Sequence, residues 1–117
     1  MIQLRLVFLL INLLLSQLTF ADQKIITVSS SPIKNLAELI TKDDVRIDVI
    51  LAGRTCPHEY ILKPSDLSKI KNSKAIIMLN GNFEHFMNPL IKIFKGPVID
   101  LSAAIGITPE TNMHLWL

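Results

Sequence analysis

Beyond residue 22 the chain alternates short apolar runs with stretches in which apolar residues recur at helical spacing. Lys24 to Ser29, KIITVS, is a β-branched run suited to a strand, and the serines that follow lead to Pro32, which fits the first position of a helix. Ile33, Leu36, Ala37 and Ile40 then fall at i, i+3, i+4 and i+7, which predicts one apolar stripe along that helix. From Val45 to Leu51 the apolar Val45, Ile47, Val49 and Leu51 alternate with Arg46, Asp48 and Ile50, the spacing of a strand. Pro64, Ser65 and Asp66 offer the start of a short helix bearing Leu67 and Ile70, with Asn72 and Ser73 able to end it. Ala75 to Leu79 is continuously apolar, as expected of a strand covered on both faces. After a turn at Asn80, Gly81 and Asn82, the residues Phe83, Phe86, Met87, Leu90 and Phe94 are helically spaced, with Pro89 expected to kink or split the segment. Pro97 to Leu101 is the fourth strand.

Strands and helices in alternation with short connections imply right-handed βαβ units. The expected fold is therefore α/β, a single Rossmann-like lobe with a four-stranded parallel sheet and helices on both faces. Ligands of such sheets gather at the carboxyl ends of the strands. The loop Arg54 to Asp66, RTCPHEYILKPSD, follows the second strand and carries His58 to that edge. The segment from Ser102 to Leu117, with His114, leaves the fourth strand from the same edge, so the two histidines are expected to converge there.

The first 21 residues stand apart from this pattern. Arg5 precedes an apolar run from Leu6 to Leu15, and Thr19 and Ala21 occupy the minus-3 and minus-1 positions of a cleavage site before Asp22. A membrane anchor would need about 20 unbroken apolar residues, and Asn12, Ser16, Gln17 and Thr19 interrupt the run. The expectation is a signal peptide over residues 1–21, export to the periplasm, no stable membrane insertion after cleavage, and one small domain over 22–117. Twelve Lys and Arg against ten Asp and Glu leave a net charge of +2, which gives no reason to expect nucleic acid as a partner. One cysteine excludes an intramolecular disulfide framework, so stability has to come from a core.

His58, Tyr60, Pro64, Ser65 and Asp66 form a His-x-Tyr-x-x-x-Pro-Ser-Asp element, and His114, Trp116 and Leu117 form a Met-His-x-Trp-Leu element after Met113. The two in this order resemble the amino-terminal half of the periplasmic zinc- or manganese-binding proteins that serve ABC importers, over essentially all of Lys24 to Leu117. The resemblance implies a metal-binding transport protein and not an enzyme, with His58 and His114 as ligands, Zn2+ as the ion with Mn2+ as the alternative, and an ABC permease as the partner. Neutral imidazoles suit zinc, a d10 ion that accepts tetrahedral nitrogen donors without redox chemistry. Asn112-Met113-His114 is closer to the zinc branch, and AIGITPETN lacks the histidine-rich loop that some zinc members carry before the second motif. Members of the family have a second lobe joined by a long helix. The resemblance therefore implies a truncated and impaired half, with a separate chain as one conceivable source of the missing lobe. Two imidazoles leave the other coordination positions to water, which predicts dissociation constants in the micromolar range or weaker, on the order of 8 kcal/mol at most.

Other residues invite blander explanations. A lone histidine beside an apolar segment is more often structural, and His85, between Glu84 and Phe86, reads as a surface histidine. Cys56 reads as a buried or incidental thiol, although a thiol enzyme using Cys56 with His58 or His114 is a rival class, and an inert remnant is another. Tyr60 and Trp116 are expected to pack beneath the loops and orient the imidazoles, and Ser65 and Asp66 to begin a helix.

Overall fold

In the computed structural model, which describes residues 23–106 together with Gln3, Arg5 and Val7, the strands β1 (Lys24–Ser30), β2 (Val45–Leu51), β3 (Ala75–Met78) and β4 (Val98–Asp100) form one sheet. Their order is β2-β1-β3-β4 and every neighbouring pair is parallel. The helices are α1 (Ser31–Ile40), α2 (Pro64–Asn72), α3 (Asn88–Ile93) and α4 (Leu101–Ala104). The expected signal segment lies outside the described residues apart from Gln3, Arg5 and Val7. Among the described residues no helix is long and apolar enough to cross a membrane.

Handedness explains the two layers. A right-handed crossover from β1 to β2 puts α1 on one face. The next crossover runs the opposite way across the sheet to β3 and so puts α2, and after it α3, on the other face. Side-chain alternation along the strands serves both layers. Ile26 and Val28 on β1, Ile47 and Val49 on β2 and Ile77 on β3 pack with Ile33 and Ala37 of α1. Ile50, Leu51, Ile76 and Met78 pack with Ile70 of α2, with Leu90 of α3, and with Phe86 and Met87 ahead of it.

Two local expectations are corrected and a third is made definite. The α1 stripe is narrower than its spacing suggests, because only Ile33 and Ala37 are buried while Leu36 and Ile40 are 62 % and 84 % exposed. The Phe83–Phe94 segment is split in two, one of the alternatives expected of it. A 3-10 turn over His85–Met87 leads into α3, and Pro89 sits in the first turn of α3, where a missing N–H costs no intrahelical bond. The fourth strand is shorter than Pro97 to Leu101: it is an edge of three residues, Val98–Asp100, with Val98 and Ile99 exposed, and Leu101 already opens α4. The other start signals hold: Pro64 opens α2, the Asp66 carboxylate accepts the Lys63 N–H at 2.9 Å, and the helix ends at Asn72.

Candidate metal centre

Where β1 and β3 lie side by side, the chain leaves β1 toward one face and β3 toward the other. Such a switch point opens a crevice at the carboxyl ends of the strands, where a ligand would ordinarily enter. Here the chain fills it with its own carboxylate. The Ser29 hydroxyl donates to Glu84 Oε1 at 2.5 Å, and the backbone N–H groups of Leu79 and Asn80 donate to Oε2 at 2.7 and 3.2 Å. Glu84 is 1 % exposed. Burial pushes its carboxyl up from the ordinary value, the donated bonds offset part of that rise, and the nearby Asp100 adds to it.

The same edge is laced toward β4. Asn80 Nδ2 donates to Ser102 Oγ at 2.8 Å, the Ser102 hydroxyl donates to Asp100 Oδ1 at 2.6 Å, and the Ala103 N–H donates to that oxygen at 3.1 Å, capping α4. A cavity of about 210 Å³ opens beside the crevice, lined by Ser30, Pro32, Leu51, Leu79 and Phe83 among others. Its largely apolar wall offers an ion little. Glu84 reaches it, but both oxygens of that carboxylate already accept bonds.

His58 sits in a 3-10 turn, Pro57–Glu59, in the connection from β2 to α2, and its side chain is exposed. The connection is held from behind. The Tyr60 hydroxyl lies 2.9 Å from Asp66 Oδ2 and 3.2 Å from the Ile50 carbonyl and shares its proton between them, while its ring meets Phe86 edge-on with centroids 5.2 Å apart. Burial, then the hydrogen bond to Asp66 and its charge, push the Tyr60 hydroxyl up to about 12, so it stays protonated as a donor. Asp66 is itself buried and pairs with Lys69 at 3.6 Å, and Lys69 Nζ donates to the Val49 carbonyl. Tyr60 and Asp66 thus have the packing and helix-start roles expected of them, and Asp66 also ties α2 to β2 through Tyr60.

The His58 ring stands edge-on to Phe83 at 5.5 Å between centroids, with the planes at 83°. On another connection, His85 places its ring centroid 6.2 Å from that of His58, with the planes at 47°. His85 is exposed, as a surface histidine should be, but it begins a 3-10 turn and stands beside His58. Cys56 is exposed, which removes the reading of a buried thiol. His114 and Trp116 lie outside the described residues. Glu84 escaped the sequence reading. Its one local sign is an acid set between Phe83 and Phe86, two aromatics of the apolar pattern.

Among the described residues no group of three or more His, Cys, Asp or Glu side chains converges to hold an ion. Among the described residues, the exposed side chains at this edge include the imidazoles of His58 and His85, and imidazole nitrogen suits zinc and its borderline neighbours.

The family model described as zinc-uptake complex component A, periplasmic, matches residues 26–117. An uncharacterized protein of Rickettsia prowazekii is 33% identical over 100 residues, covering 85% of this chain and 33% of that protein. The high-affinity zinc uptake system protein ZnuA of Haemophilus ducreyi is 32% identical over 90 residues, covering 76% of this chain and 29% of that protein. The chain spans about a third of the length of these curated relatives. A Mn-bound periplasmic metal binding protein from Candidatus Liberibacter asiaticus shares the fold with a TM-score of 0.63 at 24% identity, over 70% of this chain and 32% of that one.

Proposed function

The chain belongs to the periplasmic zinc-uptake complex component A family, and from that premise we propose that it forms one wall of a site that captures zinc in the periplasm for delivery to an ABC permease. In this reading residues 22–117 are the amino-terminal lobe of a solute-binding protein, residues 1–21 direct export, and His58 and His114 each give one imidazole nitrogen to the ion. The observation that carries it is the position of His58. Its imidazole is exposed at the carboxyl edge of the sheet, on a turn backed by Phe83 and anchored through Tyr60 and Asp66. A ligand must be both reachable and held, and an outer shell that fixes its ring raises its affinity for the metal. The Tyr60–Asp66 pair holds the backbone just beyond His58, and Phe83 is a neighbour of the His58 ring. Nothing in the reading requires a bond to be made or broken, and the protein acts as a carrier rather than an enzyme.

Manganese is the second reading, because a solved protein of this fold was bound to that ion. A hard ion of that kind prefers carboxylate and carbonyl oxygen, whereas an imidazole such as that of His58 suits zinc, which favours the first reading. The test is a competition titration of the full chain against a chromophoric chelator near pH 7, with zinc and manganese in parallel. Zinc should bind in preference, and His58→Ala should weaken it by about tenfold or more, at least what loss of an outer-shell partner costs. Equal zinc affinity in His58→Ala and the unaltered chain would end this reading.

A further inference from the structure

His85 sits one connection away from His58, on the segment that the buried Glu84 pins to the switch point. We propose that His85 joins His58 in a two-imidazole site for a zinc-class divalent cation, so that the β3–α3 connection supplies a ligand of its own; this deepens the reading above and rests on it.

Distance is the first argument. At zinc–nitrogen bonds of about 2.0–2.1 Å and a tetrahedral angle, two imidazoles on one ion have centroids about 5 Å apart. The observed 6.2 Å is within about 1 Å of that arrangement. Both side chains are exposed, so a small rotation of either ring closes the difference. The planes meet at 47° and so are not stacked face to face.

Asymmetric support is the second. His85 follows Glu84 and precedes Phe86 and Met87, all three buried, and the Met87 N–H donates to the Glu84 carbonyl at 2.8 Å. Its backbone is therefore fixed while its imidazole is free to turn. The His58 ring has both Phe83 and His85 as neighbours, at 5.5 and 6.2 Å between centroids. An apolar ring beside a ligand limits competing water where the two meet. Two nitrogens leave the other positions of the ion to water or to further ligands, which suits an ion taken up and passed on.

The experiment is two-bond 1H–15N correlation NMR of the imidazoles in the full chain, titrated with zinc ion alone, alongside competition titrations of His58→Ala, His85→Ala and His114→Ala. The ring nitrogens of His58 and His85 should shift together and saturate at one equivalent. His85→Ala, an exposed substitution, should weaken zinc binding by about tenfold. If His58 shifts while His85 stays unmoved and His85→Ala binds as tightly as the unaltered chain, the pairing is wrong and the His58 reading survives. If neither ring responds to zinc, both fall.

Discussion

The two connections that bring histidines to the carboxyl edge are held by opposite means. From Ala52 to Cys56 the β2–α2 connection is exposed throughout; the Gly53 N–H reaches Ser31 Oγ at 3.3 Å, and firm anchorage begins only at Tyr60. The β3–α3 connection turns inward at once, burying Phe83, Glu84, Phe86 and Met87 and tying its backbone to Asn80 through the N–H groups of Phe83 and Glu84. A segment with few buried contacts opens locally at little free-energy cost, and one with many opens only with the core. The two histidines therefore differ in kind. His58 rides on a turn anchored only on its carboxyl side, at Tyr60, and His85 projects from one with buried residues on both sides.

The strongest way to break that contrast is to remove the carboxylate that fixes the second connection. Glu84→Ala strands the Ser29 hydroxyl and the N–H groups of Leu79 and Asn80 without their acceptor, and the expected loss is about 3 kcal/mol in urea unfolding. A loss under about 1 kcal/mol would mean that Phe83, Phe86 and Met87 hold the connection without it. Glu84→Gln sharpens the point, because it keeps the volume and removes the charge. The folded-state pKa of Glu84 is raised, chiefly by burial, so the folded protein holds this proton more tightly than the unfolded chain. Its contribution is fully present below the unfolded value and is lost as pH rises through the raised folded one. Stability of the unaltered protein relative to Glu84→Gln should thus fall as pH climbs above the ordinary 4.5. A difference that stays flat with pH would show the carboxylate to be as well solvated in the fold as outside it.

The first connection should give way less. Tyr60→Phe keeps the ring against Phe86 and deletes one hydroxyl, and Asp66 still accepts the Lys63 N–H and faces Lys69. The expected cost is about 1 kcal/mol in urea unfolding. Faster hydrogen exchange confined to the β2–α2 connection should accompany it. If exchange also quickened across Phe83–Met87, the two connections would move as one and the contrast would fail.

How much of this could be read from the residues follows the same division. The sheet was legible because β-branched runs and turn residues alternate in order, and crossover handedness then places His58 at the carboxyl edge with no contact known. Tyr60 and Asp66 were legible because they act within six residues of each other. Glu84 was not, since Ser29, the hydroxyl that meets it, stands 55 positions away and the flanking Phe83 and Phe86 are too weak a sign of its burial. His85 was read correctly as exposed, yet its neighbour sits on another connection and pairs with it only once β1 stands between β2 and β3. Local spacing also misjudged Leu36 and Ile40. A stripe shows which residues share a helix face but not how far the sheet extends beneath them.

The smallest effect is expected at Cys56, and it separates a carrier from a thiol enzyme. Cys56 is exposed, and its backbone carbonyl accepts the Glu59 N–H at 3.1 Å, which closes the turn that carries His58. That bond belongs to the backbone and survives any side chain. Pro57 stands between the thiol and His58 with its φ fixed by the ring, which restricts how both could turn onto one ion. Cys56→Ser should therefore change stability by no more than about 0.5 kcal/mol, the usual range for a surface substitution. Zinc affinity in the competition titration should stay within about twofold of the unaltered chain, a difference of only about 0.4 kcal/mol. Should Cys56→Ser weaken zinc as much as His58→Ala does, the thiolate is a ligand and the first connection supplies two donors. Rapid alkylation of Cys56 near neutral pH that zinc leaves unaffected would instead point to an activated thiol, and the first connection would then be a reactive loop rather than a metal-bearing one.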